Sequence, residues 1–90
     1  MVTDYKELYR FSKELNNFAE ELEYQIKKLV NETNSLTSYS WQGRQADEFA
    51  ALINDSEKDL KKEIDMLKEL SEAIYEKARV LEVAASVKFS

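Results

Sequence analysis

Cysteine, histidine and proline are all missing from this chain of 90 residues, and glycine occurs once, as Gly43. Without cysteine there is no disulfide framework and no thiolate nucleophile. With histidine missing as well, a structural zinc site, a zinc hydrolase, a Ser-His-Asp triad and a Glu-x-x-His di-iron motif all fall away. Cations are the scarcer charge: 13 Lys and Arg stand against 18 Asp and Glu, a formal net charge of −5. Arginine occurs only at Arg10, Arg44 and Arg79. Such an acidic surface argues against a nucleic-acid backbone as partner. No apolar stretch is long enough for a membrane span or a signal peptide. If the protein leaves the cell, the expected route is one that reads no cleavable signal.

What is present points to helices. Ala, Glu, Lys, Leu and Arg make up 44 of the 90 residues, a share that marks long helices or coiled coil when it is periodic. The period is there. Leu8, Leu15, Leu22, Leu29 and Leu36 fall every seven residues, with Phe11, Phe18, Ile26 and Thr33 as companions. The one-residue slip between Phe18 and Ile26 is the drift of a straight helix read on a seven-residue ruler. A second series, Ala46, Ile53, Leu60, Leu67, Ile74 and Leu81, repeats the plan, with Phe49, Ser56, Ile64, Ser71, Ala78 and Ala85 between. The stretch from Asn31 to Gly43 is rich in Ser, Thr and Asn, which favour caps and turns over helix interiors.

The expected fold is therefore all-α: a two-helix antiparallel hairpin forming one domain over residues 1–90. The first helix covers about residues 4–38, the turn about 39–43 and the second helix about 44–86. Asp4 followed by Glu7 resembles a capping box at the start of the first helix.

The second helix carries an additional stripe: Met66, Leu70, Ala73, Val80, Ala84 and Val87, interrupted only by Lys77. Two stripes make an apolar face too wide for one neighbouring helix. A hairpin of this size also has a thin core. Both facts predict association, most simply two hairpins in a four-helix bundle, with these six residues as the dimer or partner interface. The acid clusters Glu20-Glu21-Glu23 and Asp55 to Asp59 are interleaved with lysines and read as solvated faces. No general acid and base stand paired, and a helical hairpin offers no cleft to desolvate one. The expectation is a protein that is no enzyme and takes no cofactor, metal or small-molecule substrate.

Trp41-Gln42-Gly43 stands at the middle of this chain, followed by Ala46 and Phe49. In that position it resembles the WXG family, the early-secreted-antigenic-target-like small substrates of bacterial type VII secretion. The resemblance covers length, helix pair, central Trp-x-Gly and lack of cysteine. It implies cytoplasmic synthesis, and secretion without a cleavable signal peptide through a type VII machine with its secretion ATPase. It implies either a homodimer or a heterodimer with another WXG-like protein, in virulence or interbacterial competition. Trp41 and Gly43 form the turn motif, and Trp41 at the bundle end then helps form a surface that the ATPase reads.

The family's export signal on the second helix, Tyr-x-x-x-Asp/Glu, is missing: Arg79 stands four residues after Tyr75. A broader pattern of hydrophobic, acidic, hydrophobic and hydrophobic residues matches Ala78, Glu82, Ala85 and Phe89. The missing tyrosine motif raises a second implied role. In it the chain is a chaperone or targeting partner bound to the helical N-terminal domain of a larger LXG-type toxin.

Overall fold

A computed structural model describes residues 4–39 and 41–88. They form two helices, α1 (Tyr5–Tyr39) and α2 (Arg44–Lys88). No strand occurs among the described residues. The structure is the expected helical hairpin.

The ends of the helices follow from local chemistry. The Asp4 carboxylate accepts a hydrogen bond from the Lys6 N–H at 2.9 Å, satisfying one of the free donors of the first turn. At the other end, the Trp41 N–H donates to the Leu36 carbonyl at 2.8 Å and the Gln42 side chain donates to the Ser38 carbonyl at 3.4 Å. These bonds take up carbonyls that the last turn of α1 would leave open. Gly43 then turns the chain with φ +112°, and its carbonyl accepts the Asp47 N–H at 3.0 Å to start α2. A Cβ on Gly43 would meet nothing within 4 Å, so the constraint there is purely torsional. Gly43→Ala should therefore cost about 1–2 kcal/mol through backbone strain alone. Chemical denaturation checks this, and a variant as stable as the parent would show that the turn relaxes freely.

The helix pair divides into two compact units. The terminal unit joins the residues through Ala19 to those from Asp65 onward, and the turn unit is Glu20–Ile64. Within each, a segment of α1 lies antiparallel to one of α2. The terminal unit buries Ser12, Ala19, Ser71 and Ala78; the turn unit buries Ile26, Val30, Thr33, Ala46 and Ile64.

This seam differs from the expected one by a single residue on α1. Phe11 and Phe18, read as companions of the leucine series, are 52% and 58% exposed, and their neighbours Ser12 and Ala19 face α2 instead. Small side chains let two helix backbones come close, whereas a phenylalanine at the same level would hold them apart. The consequence is a thin interior. Ile26, Val30 and Ile64 are the larger apolar side chains buried there, each contributing about 1.5–3 kcal/mol if fully buried.

The terminal unit is instead tied by a polar clasp. Ser12 Oγ donates to the Ser71 carbonyl at 2.8 Å, and Ser71 Oγ donates to the Ser12 carbonyl at 2.7 Å. The two hydroxyl oxygens stand 3.1 Å apart. Both are buried, so the pairing sets the register of the two helices against sliding. Ser71→Ala should cost about 1 kcal/mol, because it removes the hydroxyl that donates to the buried Ser12 carbonyl. The double change Ser12→Ala with Ser71→Ala should cost roughly the sum of the two single changes, since each hydroxyl donates to a backbone carbonyl that the other change leaves in place. A double variant as stable as the parent would contradict the clasp.

Candidate protein–protein interface

The two sides of the terminal unit differ in chemistry. On one side an open groove of about 670 Å³ is lined by Tyr9, Ser12, Lys13 and Asn16 of α1 and by Ser71, Glu72, Tyr75 and Glu76 of α2. Tyr9 packs edge-on against Tyr75 with ring centroids 5.1 Å apart, and against Tyr5 at 6.4 Å. The Tyr9 hydroxyl donates to the Glu82 carboxylate at 2.9 Å. Desolvation first, then this hydrogen bond and the carboxylate's charge, raises the Tyr9 phenol above its ordinary value of 10.0. The sign is that of a group whose proton is favoured by folding. Its contribution is complete below pH 10 and is lost only as the pH climbs through the raised value, so the tie is present throughout the physiological range. Arg79 bonds Glu76 at 3.0 and 3.2 Å, which also raises its pKa and keeps it charged.

The opposite side is apolar. Residues 9, 13 and 16 lie on one side of Ser12 around α1, and residues 11, 15 and 18 on the other. Around α2, residues 72, 75 and 76 lie on one side of Ser71, and 67, 70 and 74 on the other. The groove places the first set of each helix together. Phe11, Leu15 and Phe18 therefore share the remaining side with Leu67, Leu70 and Ile74.

The stripe extends this side around α2. It lies roughly 100–160° from the Ser71 and Ala78 seam, beyond the reach of α1. Met66 is 61% exposed, Leu70 50%, Val80 55% and Val87 66%, and Ala73 and Ala84 are exposed too. Leu67, Ile74 and Leu81, half-buried, fill the arc between seam and stripe. Leucine, methionine, valine and phenylalanine face solvent together here, the pattern that distinguishes interaction surfaces from scattered exposed apolar residues. Phe11 and Phe18 belong to this surface, a role their place in the leucine series concealed. The signal that pointed to it was the pair of small residues one step along, Ser12 and Ala19.

In the turn unit Trp41 is half-buried, with its ring 5.5 Å from Phe49 at a 49° tilt. Leu29, Leu36, Tyr39, Leu52 and Leu60 are exposed. Trp41 thus rests against the first turns of α2, beside the Gly43 turn, with part of its ring accessible.

The residues of the broader export pattern have unlike surroundings. Ala78 is fully buried in the seam, Ala85 is half-buried, and Glu82 is exposed and bonded to Tyr9. Phe89 lies outside the described residues. Among the described residues no group of His, Cys, Asp or Glu is arranged to hold a metal ion, and no helix is long and apolar enough to cross a membrane.

Comparison with known families matches residues 1–84 to the model described as "Proteins of 100 residues with WXG". No curated protein and no solved structure matches the chain.

Proposed function

We propose that this chain, which belongs to the WXG100 family, is a subunit of a type VII secretion assembly that pairs with another helical hairpin and is exported with it. The family is one of small helical proteins associated with type VII secretion. That coarser role comes with membership; the pairing and the mode of export are our reading.

One observation carries the pairing: the apolar side of the terminal unit, where the exposed stripe Met66, Leu70, Ala73, Val80, Ala84 and Val87 stands beside Phe11 and Phe18. A second hairpin laid on this side gives a four-helix bundle and supplies the interior that the small-residue seam lacks. The bundle forms in the cytoplasm and leaves without a cleaved signal peptide. Trp41 and the end of α2 supply the surface that the secretion ATPase reads. Of the export pattern, Glu82 and the residues after it are the readable part, because Ala78 is enclosed.

A second reading makes the chain the targeting partner of a larger LXG-type toxin. Two features favour it. Arg79 occupies the place of the acid in the tyrosine motif, and Lys77 interrupts the interface stripe.

Trp41→Ala should lower export from a type VII-competent cell at least about tenfold. The half-exposed ring should make its stability cost smaller than that of a core tryptophan, which runs about 3–5 kcal/mol. Tagged chain is measured in medium and in cells. Equal export of parent and variant would remove Trp41 from the recognition surface.

A further inference from the structure

We propose that Tyr9 is a positioning residue for the end of α2: its hydroxyl, bonded to Glu82, carries the helix past the point where α1 ends. This role rests on the reading above that Glu82 and the residues after it are what the secretion ATPase reads, and Tyr9 is then what holds them in shape.

The serine clasp fixes the levels of the two helices. Ser12 stands beside Ser71, and the helices run antiparallel. Tyr5, seven residues before Ser12, is therefore level with Ala78, seven residues after Ser71. Tyr5 is the first residue of α1, whereas α2 continues to Lys88. The last ten residues of α2 thus run roughly 15 Å beyond the level at which α1 begins. Ala78 is also the last buried residue of α2 among those described. A helix segment shorter than about 12 residues is marginal in water on its own.

Charges within α2 do not supply the missing support at Glu82. Of the residues three and four positions from it, only Arg79 is charged, and the Arg79 guanidinium bonds Glu76 at 3.0 and 3.2 Å. The Glu82 carboxylate instead accepts the Tyr9 hydroxyl at 2.9 Å. Tyr9 is level with Ile74, yet it reaches a residue eight positions further along. Side-chain direction explains the reach. Helical side chains lean toward the N-terminus of their own helix. In an antiparallel pair Tyr9 leans toward the start of α1 and Glu82 leans back down α2, so the two converge. The Tyr9 ring is braced edge-on by two others, Tyr5 at 6.4 Å and Tyr75 at 5.1 Å. The bond is a strut from this braced ring to the first turn of α2 beyond α1. It is exposed, so its effect is local to the helix end and not spread over the hairpin.

The test follows backbone amide exchange of the full chain, residue by residue, in the parent, Tyr9→Phe, Tyr5→Phe, Glu82→Ala and Glu82→Gln. Tyr9→Phe keeps the ring and loses the hydroxyl. Its amides from Val80 to Val87 should exchange at least about threefold faster than the parent's, while those from Ile64 to Ala78 stay within about twofold. Glu82→Ala should match it. Glu82→Gln keeps a carbonyl acceptor and should stay near the parent. Tyr5→Phe removes a hydroxyl from the same cluster without touching the bond, and should leave the end of α2 unchanged. Parent-like exchange in Tyr9→Phe overturns the proposal. So does an equal effect of Tyr5→Phe, which would assign the support to ring packing. Export of Tyr9→Phe should fall about two- to threefold, because a less helical end lowers the fraction of chain that can be read. Faster exchange with unchanged export would leave Tyr9 as a strut and overturn its part in recognition. The underlying reading fails separately, through normal export of a chain shortened before Glu82, whatever Tyr9→Phe does.

Discussion

Deleting residues 82–90 is expected to abolish secretion while leaving most of the hairpin folded. The buried seam residues, from Ser12 and Ala19 through Ile64, Ser71 and Ala78, all precede the cut. What the deletion removes from the described structure is the exposed Tyr9–Glu82 hydrogen bond, the half-buried Ala85 and the last two members of the exposed stripe, Ala84 and Val87. Water competes for an exposed bond of this kind, so the folding cost is modest. Export should fall at least a hundredfold, on the order of the loss expected when a recognition element is removed whole. The comparison needs equal cellular levels of the two proteins, measured beside the amount in the medium. Normal secretion of the shortened chain would show that it carries no signal at the end of α2. The partner-dependent reading, in which a toxin supplies the signal, would then stand alone.

The second large effect is expected at the stripe. Leu70→Glu together with Val80→Glu should weaken association by at least about a hundredfold. Each change places a carboxylate in an interface where nothing in the stripe except Lys77 is charged. Burying an unpaired charge costs about 3–5 kcal/mol, and each 1.4 kcal/mol is about a factor of ten in affinity. Two such changes exceed the hundredfold threshold even when water reaches part of the interface. The helices themselves should survive, because both positions are exposed in the hairpin. The parent at micromolar concentration should not behave as a cooperatively melting monomer of 10.5 kDa. Sedimentation together with thermal melting checks both statements, and a compact, sharply melting monomer would contradict them.

How far the sequence disclosed this structure can be argued from particular residues. The two helices were legible because each bears an unbroken heptad series, and the only strong helix-breaking signal in the chain lies around Gly43. The family was legible because Trp41 and Gly43 fall between two helical halves of similar length.

The interior of the hairpin was not legible in the same way. Phe11 and Ser12 are neighbours, as are Phe18 and Ala19, and a rule that puts large apolar residues inside chooses the phenylalanines. The structure chooses the small residues, because the distance between two helix axes is set by what fits at their closest approach. This chain writes two apolar faces, one that closes its own hairpin and one that stays exposed. Its sequence states that both exist without stating which is inside. The same limit applies to Ala78. As a member of an export pattern it looked accessible, yet it lies on the seam side of α2, fully enclosed.

The central claim is that this chain is cargo or co-cargo of type VII secretion. The most direct measurement follows the tagged full chain in two otherwise identical cells, one with a working type VII secretion ATPase and one without. Lysis is monitored through an abundant cytosolic protein. The account predicts that the chain reaches the medium only when the ATPase is present, together with the helical partner that covers the stripe. Equal amounts in the medium of both cells would contradict it, as would retention in both when the machine exports its other substrates.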